Sequence, residues 1–180
     1  MIAIPGRTLL TERLALRPIR LSDAEPTARL MTDAIARWTG SWQGEETVEQ
    51  VEARIRGLQA LDIKGDRFDR AVTLRETGAL IGWIGVRRLE QAPERGALGY
   101  WTGEPWCAQG YTREAARAVV PAAFEALRLE TIEATAQVGN AASLAILRGL
   151  GMRHLGRRQE FATARGAADL CEWFELARTD

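Results

Sequence analysis

Residues 101–115 read Trp-Thr-Gly-Glu-Pro-Trp-Cys-Ala-Gln-Gly-Tyr-Thr-Arg-Glu-Ala, the most informative stretch of the chain. A strand ends near Thr102, a loop containing Pro105, Trp106 and Gly110 follows, and a helix begins at about Thr112. The first N–H groups of a helix have no partner within it, and the helix dipole places partial positive charge there. Gly110 lets the backbone approach a ligand closely, and Arg113 stands ready to add a charged contact. The physics is that of an anion site, although a single glycine is common in any strand-to-helix turn.

Outward from this point the chain alternates strands and helices. Upstream, residues 96–102 form a strand, preceded by a hairpin of residues 71–74 and 79–86 around the turn Glu76-Thr77-Gly78. The second of those runs is almost wholly apolar, as a strand covered on both faces should be. Thr47 caps a helix with Val48, Val51, Ile55, Leu58 and Leu61 at helical spacing, ending at Gly65. Residues 37–46, with Trp38, Gly40, Trp42 and Gly44, read as a loop. Ser22 and Asp23 cap a helix running to about Met31, and residues 8–18 read as the first strand, stopped by Pro18. Downstream, the helix from Thr112 to about Leu127 contains Pro121, which should kink or split it. Residues 131–138 alternate as a strand, and a last pair of strands, residues 152–161 and 171–177, joins through Arg165-Gly166. The order β-α-α-β-β-β-α-β-α-β-β gives an α/β fold, a mixed sheet of about seven strands with helices on its faces.

The 180 residues suit one domain spanning 1–180. With 24 Lys plus Arg against 24 Asp plus Glu, the chain does not bind nucleic acid by bulk charge. Nearly all its positive charge is arginine, a bias that suits phosphate ligands but equally reflects base composition of the genome. Cys107 and Cys171 form neither a disulfide framework nor a metal cluster, and His154 is the sole histidine. No apolar run is long enough to span a bilayer and no secretion signal is visible, so the expected setting is the cytoplasm, without metal, membrane or nucleic acid.

Residues 138–151, Val-Gly-Asn-Ala-Ala-Ser-Leu-Ala-Ile-Leu-Arg-Gly-Leu-Gly, form a second informative stretch. Asn140 caps a helix, and at 100° per residue Asn140, Ser143, Leu147 and Leu150 share one narrow arc. Ser143 therefore lies on an inward face, where its hydroxyl needs a partner: a carbonyl one turn back or a ligand atom.

Taken together, these stretches resemble the GNAT acetyltransferases, and within them the group that acetylates ribosomal-protein N-termini. The resemblance extends over about residues 8–177. Its marks are Thr11-Glu12-Arg13-Leu14-Ala15-Leu16-Arg17-Pro18, Thr77-Gly78-Ala79-Leu80-Ile81-Gly82, Leu98-Gly99-Tyr100-Trp101, Gln109-Gly110-Tyr111-Thr112-Arg113-Glu114-Ala115, Asn140, Ser143 and Leu150-Gly151-Met152. Where the family carries Arg or Gln at the start of its phosphate loop this chain has Cys107, and Thr112 replaces the last small residue; Gly110 is kept.

The resemblance implies a GNAT fold, mostly antiparallel, with a splayed central strand pair. It implies acetyl-CoA as donor, its pyrophosphate held by Gln109, Gly110, Tyr111, Thr112 and Arg113, and its pantetheine arm along Tyr100 and Trp101 with Asn140 and Ser143 facing it. Ser143 would donate to the departing sulfur while a primary amine attacks directly in a ternary complex of a monomer or homodimer. Another acyl-CoA, an antibiotic amine, or an acyl-CoA sensor without turnover are the alternatives.

The attacking amine must lose a proton. Glu104, just past a strand end, is the candidate base, with Glu133 second, although each also reads as a solvated carboxylate. The acid that some relatives carry after the serine helix is Leu155 here, and His154 beside it reads as structural. Cys107 has no activating partner in sequence. Trp38 and Trp42 are candidates to hold the acceptor, or to pack as a hydrophobic lid.

Overall fold

The computed structural model describes residues 6–178. The expected first strand is instead a small hairpin, β1 (Leu9–Leu10) and β2 (Leu14–Arg17), paired Leu9 to Leu16 and Leu10 to Ala15. Thr11 turns the chain: its hydroxyl accepts from the Leu14 N–H at 3.0 Å. This raises the strand count among the described residues to eight.

Three helices follow. α1 (Ala24–Leu30) begins after a 3₁₀ turn at Leu21–Asp23. Asp23 does not cap it from its side chain; the buried carboxylate instead takes both Arg17 guanidinium nitrogens, at 2.8 and 2.6 Å. A one-turn helix α2 (Asp33–Ala36) precedes the loop, too short to leave a periodic trace in sequence. α3 (Val48–Lys64) starts on a Thr47–Gln50 capping box and ends at Gly65 in the left-handed conformation.

β3 (Arg67–Leu74), β4 (Leu80–Leu89) and β5 (Ala92–Thr102) form an antiparallel meander, each longer than its apolar run suggested. α4 (Tyr111–Leu127) runs unbroken through Pro121. The split expected there does not occur, because Pro121 lies on the exposed side with Arg117, whose carbonyl it leaves unpaired, while Val119, Val120, Ala123 and Phe124 hold both halves in the core. β6 (Thr131–Gln137), α5 (Ala141–Gly149), β7 (Arg153–Ala162) and β8 (Ala167–Ala177) complete the chain.

The sheet order is β1-β2-β3-β4-β5-β6-β8-β7. Every pairing is antiparallel except β5 with β6. Strand alternation sends Leu98, Ile84, Val86 and Phe174 toward α4 and α5, and Trp83, Trp101 and Ala71 toward α1 and α3. Two apolar cores result, one on each face.

Candidate active site

β5 and β6 run together for only three pairs: Arg95 with Thr131, Gly96 with Ile132, and Ala97 with Glu133. Beyond Ala97 they part. Each strand keeps its ladder on the outer side, β5 with β4 as far as Thr102 and β6 with β8 as far as Gln137. The inner edges, residues 98–102 and 134–137, face each other without strand pairing across a cleft of about 780 Å³. Such an edge is a template for an extended ligand with its own amide groups.

On the α4 and α5 side, the Tyr100 and Ser143 hydroxyls meet at 2.7 Å. The Ser143 hydroxyl thus goes to a group across the opening, and the carbonyl one turn back is not its partner. Burial pushes the Tyr100 phenol up to about 12, so it stays protonated and can donate into Ser143. Asn140 caps α5 by accepting from the Ser143 N–H at 3.1 Å, which fixes the serine backbone. Trp101 faces the opposite side of the sheet from Tyr100, packed against Trp42 and Trp83, so at the opening it offers its backbone.

At the mouth of the cleft, Gly110 precedes α4 with φ +83°. The Thr112 hydroxyl pairs with Thr102 at 2.7 Å, and the Gln109 amide donates to the Pro105 carbonyl at 2.8 Å. Arg113 is exposed, between the start of α4 and the end of α5 near Gly149. The sequence reading assigned no role to Arg13, yet Arg13 holds this loop. It donates to the Gln109 carbonyl at 3.1 Å and to Glu114 at 2.7 Å, lies over the Tyr111 ring, and brings Nη2 beside Gly110. Burial raises the Glu114 carboxyl, but hydrogen bonds from Thr11, the Arg13 N–H and the Arg13 side chain outweigh it and hold Glu114 below the usual carboxylate range. Only the spatial contact between residues 13 and 114, far apart in sequence, reveals this clamp.

The other side of the cleft, under α3, is rich in charge. Arg67 grips Asp69 through two bonds of 2.5 and 3.0 Å, and Arg54 meets Glu46 at 2.7 Å. Glu133 is bound by Arg158 at 2.6 Å and Arg95 at 3.2 Å. Burial raises its carboxyl, and the two guanidiniums more than reverse that, so it is held below the usual range. This is a poor setting for a base. Glu104 also lines the cleft, bonded to the Thr32 hydroxyl. Cys107 lies near the Thr102 and Gly103 carbonyls, and burial with Glu104 nearby raises its thiol, so it is no activated nucleophile.

Trp38 is partly exposed at the cleft, whereas Trp42 is 7 % exposed and packs edge-on to Trp83 at 5.1 Å. His154 is outside the cleft, bonded to Glu172 at 2.6 Å, as a structural residue would be. Among the described residues no group of three or more His, Cys, Asp or Glu is placed to hold a metal ion, and no helix is long and apolar enough to cross a membrane.

The fold superposes closely on those of known proteins. Mycobacterium smegmatis RimJ, solved in complex with CoA-disulfide, superposes with TM-score 0.84 at 22 % identity, covering 98 % of this chain and 89 % of that one. The ribosomal-protein-S5-alanine acetyltransferase of Vibrio fischeri gives TM-score 0.83 at 22 % identity over 97 % and 98 % of the two chains. In sequence, the uncharacterized N-acetyltransferase p20 of Bacillus licheniformis is 27 % identical over 159 residues, 88 % of this chain and 89 % of that protein. The Acetyltransferase (GNAT) domain family matches residues 13–153, from the arginine that clamps the loop to the first residue of β7, and this chain is a member of the GNAT acetyltransferase family.

Proposed function

We propose that the chain transfers an acetyl group from acetyl-CoA to a primary amine in the opening between β5 and β6. The observation that carries this is the Tyr100–Ser143 hydroxyl pair, set where those strands part. Acetyl-CoA supplies the acyl group as a thioester whose sulfur must leave with its electron pair. The residues fit it: unpaired edges at 98–102 and 134–137 for the amide-bearing arm, and the N-terminus of α4 beside Gly110 and Arg13 for the pyrophosphate.

Ser143 donates a hydrogen bond to the departing sulfur, and Tyr100 donates to Ser143, so charge building on sulfur is met by a short donor chain. Backbone N–H groups on the free β5 edge bind the oxygen of the tetrahedral species. Glu133, held by two arginines, orients Arg158 rather than taking a proton. Glu104, within reach of water at the cleft mouth, is the carboxylate left for that task. The chain works as a single acyl-transfer domain, monomer or homodimer, and its two free cysteines suit a reducing cytoplasm.

Incubation with acetyl-CoA and an amine panel, following free thiol, tests the reading. Amine-dependent thiol release supports it. Tight acetyl-CoA binding with no release for any amine overturns it in favour of a sensor.

A further inference from the structure

The half of the cleft under α3 has a distinctive charge arrangement. Its wall carboxylates are already matched by the chain's own arginines: Asp69 by Arg67, and both Glu133 and Glu160 by Arg158. Glu104, the lining carboxylate without an arginine, lies beyond the far end of β5. The aromatic faces that could receive a cation are also covered. The Arg54 guanidinium sits 4.0 Å over Trp42, and that of Arg37 sits 4.9 Å over Trp38. A polycation would find little unclaimed here.

The unclaimed charge is positive. Arg87 lines the cleft, is exposed, and makes no ion pair or side-chain hydrogen bond among the described residues. It stands directly across from Arg67 in the β3–β4 register, and Arg67 has Asp69 as its counter-charge while Arg87 has none among the described residues. On its other side it is in register with Ala97, the last β5 residue to pair with β6. Arg87 is therefore one strand from the point where the strands part. The next position on that face of β5, Gly99, carries no side chain, and a Cβ there would meet nothing within 4 Å, so the floor is open.

Resting on the acetyl-transfer reading, we infer that the acceptor is a small primary amine that also carries an anionic group, held by Arg87 while its amine reaches the opening. A guanidinium takes a carboxylate or a phosphate through paired N–H donors. Either group would give Arg87 the counter-charge that Asp69 gives Arg67.

The test uses CoA-saturated protein and matched amines: L-alanine and L-phenylalanine against their carboxamides, O-phosphoethanolamine against ethanolamine, and spermidine. Binding is read by thermal shift, and turnover by thiol release from acetyl-CoA. The anionic member of a pair should bind about 10- to 100-fold more tightly. The pair that shows this says whether the group is carboxylate or phosphate. Arg87→Gln should erase the preference with CoA affinity unchanged, and Arg87→Lys should keep part of it. Equal or tighter binding of carboxamides or spermidine, no binding by any amine, or a preference that survives Arg87→Gln would each overturn the inference. Anion-selective binding without thiol release would instead support it and overturn acetyl transfer.

Discussion

The hydroxyls of Tyr100 and Ser143 meet at 2.7 Å, tying the strand that leaves β6 to the helix that follows β6. The two residues are 43 positions apart and part-buried; without Tyr100 the Ser143 hydroxyl loses this partner, whereas without the serine hydroxyl Tyr100 keeps only a long contact of 3.5 Å to the Ser143 carbonyl.

Ser143→Ala should lower kcat by about 10- to 1,000-fold with a smaller change in KM for acetyl-CoA, because the bond to sulfur strengthens as charge develops. Tyr100→Phe should give a smaller loss. In the double variant the losses should be far from additive, since both act through one donor chain. Steady-state kinetics on the three variants checks this; additive losses would separate the two hydroxyls.

The loop before α4 offers a complementary pair of substitutions. Gly110→Asp should abolish CoA binding, as it forces a side chain onto a left-handed residue and sets negative charge where phosphate must approach. Glu114→Gln loosens Arg13 without touching the loop backbone. The Arg13–Glu114 pair is partly solvated, so the effect should be modest, about fivefold in KM for acetyl-CoA with kcat unchanged. Binding isotherms for CoA separate the two outcomes.

Glu133 gives a pH signature. Its folded-state pKa lies below that of the unfolded chain, so its stabilisation is complete above about pH 4.5 and is lost as pH falls through the folded value. Glu133→Gln removes the carboxylate that Arg158 and Arg95 share, leaving Arg158 to Glu160 and Arg95 to Glu175, and should lower Tm at neutral pH. The gap to the parent protein should close on acidification below about pH 4.5, measured by calorimetry across the range. A gap that stays constant with pH would remove the ion pairs as its cause.

The two loop tryptophans should behave oppositely. Trp42→Ala opens a hole in the cluster with Trp83 and Trp101 and should cost about 3–5 kcal/mol of stability. Trp38→Ala, at the cleft surface, should leave Tm within a few degrees and act on the amine KM. Thermal unfolding beside acceptor kinetics distinguishes wall from contact.

Pro121→Ala should stabilise the protein by about 1–2 kcal/mol, since it restores a hydrogen bond to the exposed Arg117 carbonyl, partly offset by a freer unfolded chain. Denaturant midpoints check it.

Much of this architecture can be read from local pattern. Thr47 with Gln50, Gly65, Asn140 and the turn at Gly78 punctuate the chain through their own backbone chemistry, and the structure places each where that chemistry requires. The hairpin at Thr11 and the unbroken helix at Pro121 depend on tertiary partners, Glu114 in one case and the α4 packing face in the other, which no local window contains. The same holds in the cleft. Ser143 and Asn140 are legible because both lie on one helix. Arg13 over Gly110, and Arg87 facing Arg67, exist only through register and sheet order.

β6 is held by seven residue pairs to β8 and by three to β5. The gap on one side of β6 is thus maintained by the strand on its other side, and β8 is the last strand among the described residues. Gly110 and Ser143 both precede β8 in the chain, so truncation before residue 167 would keep both residues and the β3–β5 meander while removing the ladder that fixes β6 beside the opening. Such a chain should lose the capacity to take a thioester even where the meander still folds.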